Sequence, residues 1–301
     1  MSPVVSVIIP TFNRWPLVGE AVESVFGQSY SDFELIVVDD GSTDETQQEL
    51  AKFRSRLRLF VKAREGVATA RNFGVSQAVG RYIAFLDSDD LWQPKKLEIQ
   101  TAFMEKDPSV QICQTEEIWL RHGVRVNPKA RHQKPSGDIF VRSLELCLVS
   151  PSAVMMTKEL FSRFGGFDEK FPVCEDYDLW LRIAVEHPVP LIPKALIIKR
   201  GGHADQLSRS MSAMDRYRVA ALQKLLRSSL QGTRRARALA VLRSKVAILA
   251  QGARKRGKEQ EANEYEAMTA EFDRESVDVG DGNSRLHNSE GFSPEDAGAL
   301  A

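Results

Sequence analysis

Short apolar runs alternate with longer amphipathic stretches over the first hundred residues. Four of the runs are rich in β-branched residues and have the length of strands, and the stretches between them have helical spacing. The predicted strands cover residues 4–10, 33–39, 57–61 and 81–87, and the predicted helices cover 16–27, 44–54 and 67–78. This repeated βα order predicts an α/β fold with a mainly parallel central sheet flanked by helices.

Polar segments follow three of the predicted strands at their carboxyl ends. The segments are PTFNR (10–14), DDGSTDE (39–45) and DSDD (87–90). In an open parallel sheet the carboxyl ends of the strands lie at one edge, and ligands bind in the crevice outside them. We therefore expect the three segments to share one site.

The glycine pattern argues against two common occupants of such a crevice. PTFNRWP, rather than G-x-G-x-x-G, follows the first strand, and the chain contains no G-x-x-x-x-G-K-[ST]. A Rossmann dehydrogenase and a P-loop enzyme are therefore disfavoured.

The three acids Asp87, Asp89 and Asp90 repel one another at the end of a buried strand, and this repulsion requires a compensating positive charge. Paired carboxylates of this kind suit Mg²⁺ or Mn²⁺ bound together with substrate phosphates.

Charge divides the chain into three segments, although the formal net charge is zero. Residues 209–258 carry 14 Lys or Arg and one acid, whereas residues 259–301 carry 12 acids and two Arg. We predict a catalytic or binding domain over 1–208, a basic helical extension over 209–258, and an acidic, disordered tail over 259–301.

The basic extension contains two predicted amphipathic helices, over residues 211–230 and 234–256. They fit either a hairpin packed against the catalytic domain or a partner subunit, or a peripheral contact with anionic lipid on the inner face of a membrane. Nucleic acid is not an expected partner, since the extension lacks aromatic interleaving and a recognisable reading motif.

Cysteine use and hydropathy favour a cytoplasmic location. The three cysteines lack pairing or metal-ligand spacing. No apolar stretch reaches the roughly 18 to 20 residues of a membrane span, so we predict no transmembrane helix. The N-terminus lacks the basic region of a signal peptide, and none is expected.

Five motifs occur in a fixed order between residues 4 and 208. They are VSVIIPTFNR, IVVDDGSTDET, ARNFG, FLDSDDLW and EDYDLWLR. Together they resemble glycosyltransferase family 2 and its GT-A type nucleotide-diphospho-sugar transferase fold. The resemblance implies an inverting transferase that uses a nucleotide-diphosphate sugar with Mn²⁺ or Mg²⁺. It also divides residues 1–208 into a nucleotide-sugar half (1–105) and an acceptor half (106–208).

The resemblance implies a role for several residues of the nucleotide-sugar half. The predicted nucleotide-sugar-binding residues are Thr11, Asn13, Arg14, Asp39, Arg71 and Asp87. Asp39 would accept a hydrogen bond from the ring N–H of uracil or thymine, which makes a UDP-sugar the expected donor. Asp40 is expected to shape a turn with the GST run that follows it. For Arg14 a loop-fixing salt bridge, and for Arg71 a place on the helix surface, are the structural alternatives.

The metal site follows from the same resemblance. Asp87-Ser88-Asp89 matches the D-x-D arrangement of the family, in which one carboxylate faces the ribose and the metal and the other ligates the cation that bridges the two phosphates. His203 lies in HADQLS, similar to the family's H-x-x-Q-x-S segment, and would either complete the metal shell or contact the diphosphate. Asp90 is expected to begin or cap the next helix instead of binding metal.

The acceptor half provides the expected base. By resemblance to the family's E-D motif, Asp176 would deprotonate the acceptor hydroxyl in a single in-line displacement. Gly166 and Phe167, in FGGFDEKF, and Glu175 are expected on the acceptor side. The acceptor itself is expected to be a glycan or a lipid-linked sugar in cell-surface polysaccharide or glycolipid synthesis.

Two other functions remain open at this point. A nucleotidyltransferase would combine a similar sheet with metal and nucleotide, but it would normally carry a Gly-rich basic loop where this chain has PTFNRWP. A nucleotide-sugar-binding scaffold without catalysis would be expected to lose the D-x-D pair or the base, and this chain retains both.

Overall fold

The computed structural model describes residues 2–202 and 214–272. The chain divides into two compact units, Met1–Val241 and Leu242–Ala301. The central sheet lies in the first unit.

Within the described residues, nine strands form one sheet in the order β3-β2-β1-β4-β8-β6-β9-β5, with β7 paired to β6. The strands are β1 (Val5–Thr11), β2 (Phe33–Asp39), β3 (Arg58–Val61), β4 (Tyr82–Phe85), β5 (Leu91–Trp92), β6 (Ile112–Arg121), β7 (Val124–Val126), β8 (Val154–Thr157) and β9 (Leu191–Gly201). β1 pairs in parallel with β2 and β4, and β2 pairs in parallel with β3. The parallel arrangement predicted for the first four strands is confirmed.

The other half of the sheet is mixed. β8 runs antiparallel to both β4 and β6, and β5 runs antiparallel to β9, whereas β6 and β9 are parallel. The expectation of a mainly parallel sheet therefore describes only the half formed by β1 to β4. Alternating strand and helix signals, which predict parallel pairing, end with the helix that follows β5.

Helices cover the faces of the sheet and extend the chain beyond it. In chain order they are α1 (Leu17–Phe26), α2 (Thr46–Leu50), α3 (Val67–Gln77), α4 (Lys96–Lys106), α5 (Phe140–Ser143), α6 (Lys158–Arg163), α7 (Glu175–Ala184), α8 (Asp215–Leu226), α9 (Gly232–Lys255) and α10 (Glu259–Ala267). All seven residues of β1 are buried, because the strand lies inside the sheet and has apolar cover on both faces.

The C-terminal helices agree with the prediction in part. α8 and α9 confirm the two helices expected over 211–230 and 234–256. The prediction of disorder from residue 259 is wrong at its start, since Glu259–Ala267 is helical. The guanidinium of Arg254 pairs with two acids of this helix, Glu259 at 2.9 Å and Glu266 at 2.7 Å. In the described ranges no helix has the length and apolar character needed to cross a membrane.

Helix α3 approaches the sheet closely at Gly74. A Cβ at this position would lie 2.5 Å from Cγ2 of Ile8 on β1 and 3.4 Å from Cγ2 of Val38 on β2. The absence of a side chain therefore sets the distance between α3 and the strands whose carboxyl ends carry the polar segments. Since α3 also carries Arg71, this packing helps to position a predicted site residue.

We expect Gly74→Ala to lower the free energy of unfolding by about 1–3 kcal/mol, because Ile8 and its neighbours would have to move in a packed core. This loss opposes the gain of roughly 1 kcal/mol that alanine normally brings to a helix interior. Urea unfolding measures the change. Gly252→Ala in α9 is the matched control, since its Cβ would meet only the end of the Arg256 side chain, at 3.3 Å, and it should be neutral or stabilising. Equal effects of the two changes would contradict the packing argument.

Candidate active site

The carboxyl ends of β1 and β2 bring Thr11 and Asp39 side by side. The two residues are partners in the parallel register, and the backbone N–H of Asp40 donates to the carbonyl of Thr11 at 2.8 Å. Both side chains are buried. The structure therefore brings together the two residues predicted to line the nucleoside pocket.

Asp39 and Thr11 each keep a buried polar atom without a partner. Oδ1 of Asp39 accepts hydrogen bonds from the backbone N–H and the hydroxyl of Ser42. Oδ2 of Asp39 and Oγ1 of Thr11 have no hydrogen-bond partner among the described residues. A buried carboxylate oxygen left unpaired is costly, so this position suits a ligand that donates a hydrogen bond.

Asn13 shapes the loop beneath this pocket. It has a left-handed backbone, with φ of 49°, which asparagine tolerates better than most residues. Its side-chain Oδ1 accepts from the backbone N–H of Thr43 at 2.7 Å, and its own N–H donates to Oγ of Ser42 at 2.8 Å. Asn13 thus joins the loops after β1 and β2, and this internal role accompanies any contact with a nucleoside.

Asp40 is structural, as predicted, but its partners lie further along the chain than a local turn. Its two carboxylate oxygens accept the backbone N–H groups of Glu65 at 2.9 Å and Gly66 at 2.8 Å. Gly66 is the residue that precedes α3, and its φ of 102° favours glycine. Adjacent residues at the end of a strand point to opposite faces. The side chain of Asp40 therefore holds the start of α3, and the side chain of Asp39 points the other way, toward the crevice.

Arg71 is buried and joins two of the predicted site segments. Its guanidinium donates to Oδ1 of Asp87 at 2.7 Å and to Oε1 of Glu175 at 2.5 Å. Burial alone would lower the pKa of Arg71. The charges of Asp87 and Glu175 raise it by more than burial lowers it, so the guanidinium keeps its charge. Nε of Arg71 is buried without a hydrogen-bond partner in the described residues. The alternative of a surface arginine is excluded by its exposure of 4%.

The DSDD turn is held by cations and by Ser152. A guanidinium nitrogen of Arg14 lies 3.4 Å from Oδ2 of Asp89. This ion pair fixes the loop after β1, and it also places Arg14 beside a predicted site residue. The backbone N–H of Asp87 donates to Oγ of Ser152 at 3.1 Å. Burial, with the neighbouring Asp87 charge, raises the pKa of Asp89 despite Arg14. The protein side chains thus offset the repulsion within the turn only in part.

Asp90 does not begin or cap a helix, contrary to the prediction. It accepts from the hydroxyl of Ser152 at 2.7 Å and from the backbone N–H of Arg200 at 3.0 Å, and it is 2% exposed. α4 begins only at Lys96. Burial raises the pKa of Asp90 to about 8, although Lys199 acts in the opposite direction. The residue ties the turn to β9 and to the segment before β8.

The residues at the turn fit a metal only in combination with other ligands. No group of three His, Cys, Asp or Glu side chains that could hold a metal occurs within residues 2–202 and 214–272. Asp87 and Asp89 supply two hard oxygen ligands and repel each other without a cation, so they suit Mg²⁺ or Mn²⁺ whose remaining ligands come from phosphate and water. His203, the third predicted ligand, lies outside the described residues.

Asp176 lies in the first turn of α7, next to Glu175. Its Oδ1 accepts from the backbone N–H of Tyr177 at 2.7 Å, and its Oδ2 accepts from the thiol of Cys147 at 3.4 Å. Cys174, the residue before the helix, has a left-handed backbone with φ of 64°. Such backbone strain concentrates at functional sites, where it directs neighbouring side chains. Asp176 is half-buried, which leaves it accessible to a substrate hydroxyl.

Two residues predicted on the acceptor side, Phe167 and Glu175, have buried side chains. Phe167 is 2% exposed and packs edge-on against Phe85 at 5.3 Å between ring centres. Glu175 is buried on Arg71, and burial together with Asp176 raises its pKa to about 7 against the effect of Arg71. Neither side chain presents a surface to an acceptor.

Gly166 serves the packing of the same loop. Its φ is 70°, and a Cβ would lie 2.8 Å from Oδ1 of Asn72. Asn72 also accepts from the backbone N–H of Phe167 at 3.0 Å and donates to its carbonyl at 2.8 Å. Successive residues of α3 thus hold the crevice, through Arg71, and the loop that precedes α7, through Asn72.

Three polar residues at the site carried no prediction. Lys199 on β9 is affected by Glu117, Asp90, Asp87 and Asp176, which raise its pKa although burial lowers it. Cys147 contacts Asp176, and burial followed by the charge of Asp176 raises the pKa of its thiol. Ser152 holds both Asp87 and Asp90. A lysine inside the otherwise apolar run LIIK was the one available signal, whereas Cys147 and Ser152 have none in their local sequence.

We expect Arg71→Met to lower the free energy of unfolding by about 3–5 kcal/mol, because it leaves Asp87 and Glu175 without their buried cation. Urea unfolding near neutral pH measures the loss. Arg163→Met is the control, since it breaks an exposed pair with Glu186 and should cost less than about 1 kcal/mol. Similar losses in the two variants would show that Arg71 does not act as a buried bridge.

Comparison with known proteins agrees with the fold and the motifs. Residues 6–164 match the family described as glycosyl transferase family 2. An uncharacterized glycosyltransferase of Rickettsia felis is 38% identical over 200 residues, which are 64% of this chain and 32% of the relative. The chain therefore spans about a third of the length of that relative.

Two further comparisons cover more of the matched protein. An Escherichia coli protein named UDP-Glc:alpha-D-GlcNAc-diphosphoundecaprenol beta-1,3-glucosyltransferase is 32% identical over 62% of this chain and 72% of its own. The crystal structure of S. aureus TarS residues 1–349 in complex with UDP-GlcNAc superimposes with a TM-score of 0.65 at 22% identity, covering 80% of this chain and 71% of that 1–349 chain. These matches confirm the predicted fold, and the chain belongs to glycosyltransferase family 2.

Proposed function

We propose that the protein transfers a sugar from a nucleotide-diphosphate donor to an acceptor hydroxyl in the synthesis of a cell-surface polysaccharide or glycolipid. The observation that carries the proposal is the Arg71 bridge, which joins Asp87 of the D-x-D turn to Glu175, the neighbour of Asp176. One guanidinium thereby fixes Asp87, which suits a donor diphosphate, and the first turn of the helix that carries Asp176. Family membership supports this function over a nucleotidyltransferase.

The donor is proposed to be a UDP-sugar. Oδ2 of Asp39 would accept the ring N–H of uracil, and the hydroxyl of Thr11 would contact the same nucleoside. The E. coli relative is named for a UDP-glucose substrate, and the TarS structure contains UDP-GlcNAc. Both names agree with a uracil nucleotide.

Asp87 and Asp89 would hold Mn²⁺ or Mg²⁺ against the donor diphosphate. When bound, the cation supplies Lewis-acid stabilisation of the charge on the leaving diphosphate. Arg71 holds Asp87 in place through an ion pair at 2.7 Å, and Arg14 lies 3.4 Å from Asp89. His203 remains a proposed third ligand.

Asp176 is proposed as the general base of an inverting displacement. Its carboxylate takes the proton of the acceptor hydroxyl, and the acceptor oxygen forms a bond to the anomeric carbon. The bond between that carbon and the diphosphate oxygen breaks on the opposite face, and the nucleoside diphosphate leaves. Hydrogen bonds from Tyr177 N–H and the Cys147 thiol orient the carboxylate for this transfer.

The acceptor is proposed to be a glycan or a lipid-linked sugar, reached by a cytoplasmic protein at the inner face of the membrane. The E. coli relative is named for a diphosphoundecaprenol acceptor. Exposed cations of the extension, among them Arg237 and Lys255, would provide a peripheral contact with anionic lipid.

A donor panel tests the proposed function directly. The full chain should bind a UDP-sugar in the presence of Mn²⁺ and release UDP on transfer or hydrolysis, and EDTA should abolish the release. Asp39→Asn should weaken donor binding about tenfold, because an amide nitrogen would face the ring N–H. Asp32→Asn, at an exposed position, is the control. If no donor in the panel is bound or consumed, the enzyme proposal fails.

Asp176→Asn should leave metal-dependent donor binding unchanged while lowering the transfer rate by about 10²–10⁴-fold, since an amide cannot accept the proton. Donor affinity and product formation are measured on the same preparation. Asp138→Asn provides a control at an exposed acid of the same half, with an unchanged rate expected. Loss of donor affinity in the Asp176 variant would place this residue on the donor side instead. If the wild-type protein binds the donor but transfers no sugar, the result would favour the scaffold alternative.

Charge reversal tests the membrane proposal. Arg237→Glu combined with Lys255→Glu should weaken binding to vesicles that contain anionic lipid by about thirtyfold or more at low salt, as measured by co-sedimentation, because each cation near the surface contributes about 1 kcal/mol. Neutral vesicles serve as the control. Equal partition of the variant and the wild-type protein would contradict the membrane contact.

A further inference from the structure

Lys199 is held in place by the strand on which it lies. It belongs to β9 and is the register partner of Trp119 on β6. The next residue, Arg200, donates its backbone N–H to Asp90 at 3.0 Å and its guanidinium to the carbonyl of Asp89. Neighbouring residues on a strand project to opposite faces. Arg200 therefore fixes β9 to the DSDD turn, and Lys199 extends from the other face of the same strand.

Acids of both halves of the site influence Lys199. Asp87 and Asp90 belong to the proposed donor side, Asp176 is the proposed base, and Glu117 lies on β6. Their combined charge keeps the ammonium protonated against the effect of burial. The geometry agrees with this influence, because Arg200, the next residue of β9, is bonded to Asp89 and Asp90 of the DSDD turn.

The ammonium of Lys199 is underused by the protein. One of its three N–H groups donates to Oγ of Ser150 at 3.2 Å. Within the described ranges the ammonium makes no other hydrogen bond. Lys134, in contrast, forms a direct ion pair with Glu117 at 2.7 Å. Lys199 is half-buried as a residue, and its other two N–H donors have no hydrogen-bond partner in the described ranges. A cation influenced by four acids but left without a direct ion pair in the described chain suits an anion brought by the substrate.

We propose that Lys199 binds the diphosphate of the nucleotide sugar, as a second cation beside the metal. This assignment rests on the proposed function. The ammonium donates to an oxygen of the diphosphate in the bound donor and keeps that contact as negative charge grows on the leaving oxygen. A carboxylate on the donor sugar would offer similar chemistry, and the two ligands are distinguished by using UDP without a sugar.

Calorimetry on the full chain with Mn²⁺ tests the assignment with three probes, uridine, UMP and UDP, and with UDP-glucuronate and GDP as further ligands. Lys199→Met should lose about tenfold to hundredfold in UDP affinity, the range of a hydrogen bond between charged groups, and less than twofold in uridine affinity. Lys199→Arg should restore UDP affinity to within about fivefold. Lys194→Met, at an exposed lysine of the same strand, is the matched control and should bind all three probes as the wild-type protein does.

Several outcomes would overturn the assignment. Unchanged UDP affinity in Lys199→Met would do so, as would an equal loss for uridine, which indicates a structural role. A loss confined to UDP-glucuronate, with UDP unaffected, would assign the cation to the sugar. If the wild-type protein binds neither UDP nor GDP, the proposed function fails and the assignment falls with it.

A second comparison covers the case in which Lys199→Met does not fold. Lys199→Gln keeps a side-chain N–H donor for Ser150 while it removes the charge, and the wild-type protein is its reference. The same loss of UDP affinity, without loss of uridine affinity, is expected between these two proteins. Equal UDP affinities in the pair would overturn the assignment.

Discussion

The buried guanidinium of Arg71 is the interaction on which the crevice depends. It comes from a helix packed on β1 and β2, and it binds one acid from the turn after β4 and another from the start of α7. A buried ion pair contributes little net stability over an apolar replacement, because desolvation costs nearly as much as the attraction gains. Its value here is positional, since it fixes two segments, at Asp87 and Glu175, that are far apart in sequence.

The same helix links this ion pair to the shape of the acceptor half. Arg71 faces the crevice, Asn72 holds the loop at Phe167, and Gly74 permits α3 to lie against β1. Phe167 then packs beneath the guanidinium, with its ring centre 5.2 Å away. A buried cation, an amide clasp and a missing side chain within four residues therefore determine how the two halves meet.

The sequence predicted features that depend on neighbouring residues. Apolar runs of strand length followed by polar clusters located β1, β2 and β4 and the convergence of Thr11, Asp39 and Asp87. Resemblance of motifs then indicated the family, which the comparisons confirm. The roles of individual site residues remain predictions, although the structure groups Arg71, Asp87 and Glu175 as bonded neighbours.

Features that depend on distant partners were not predictable from one sequence. The residues around Asp90 predict an acid at the start of a helix. Its hydrogen-bond partners, Ser152 and Arg200, are 62 and 110 residues away in sequence. Phe167 reads as a loop residue, and only the packing of α7 and β4 shows that it is buried. Lys199 and Cys147 gain their meaning from acids contributed by other elements.

The two hydrogen bonds of Asp40 restrict how the chain can vary in length. Because this carboxylate holds the N–H groups of Glu65 and Gly66, the connection between β3 and α3 cannot gain or lose a residue without moving the helix that carries Arg71. The exposed hairpin between β6 and β7 has no such anchor on its Gly123, around which space is open. Insertions are therefore compatible with the crevice at that hairpin and incompatible with it beside Asp40.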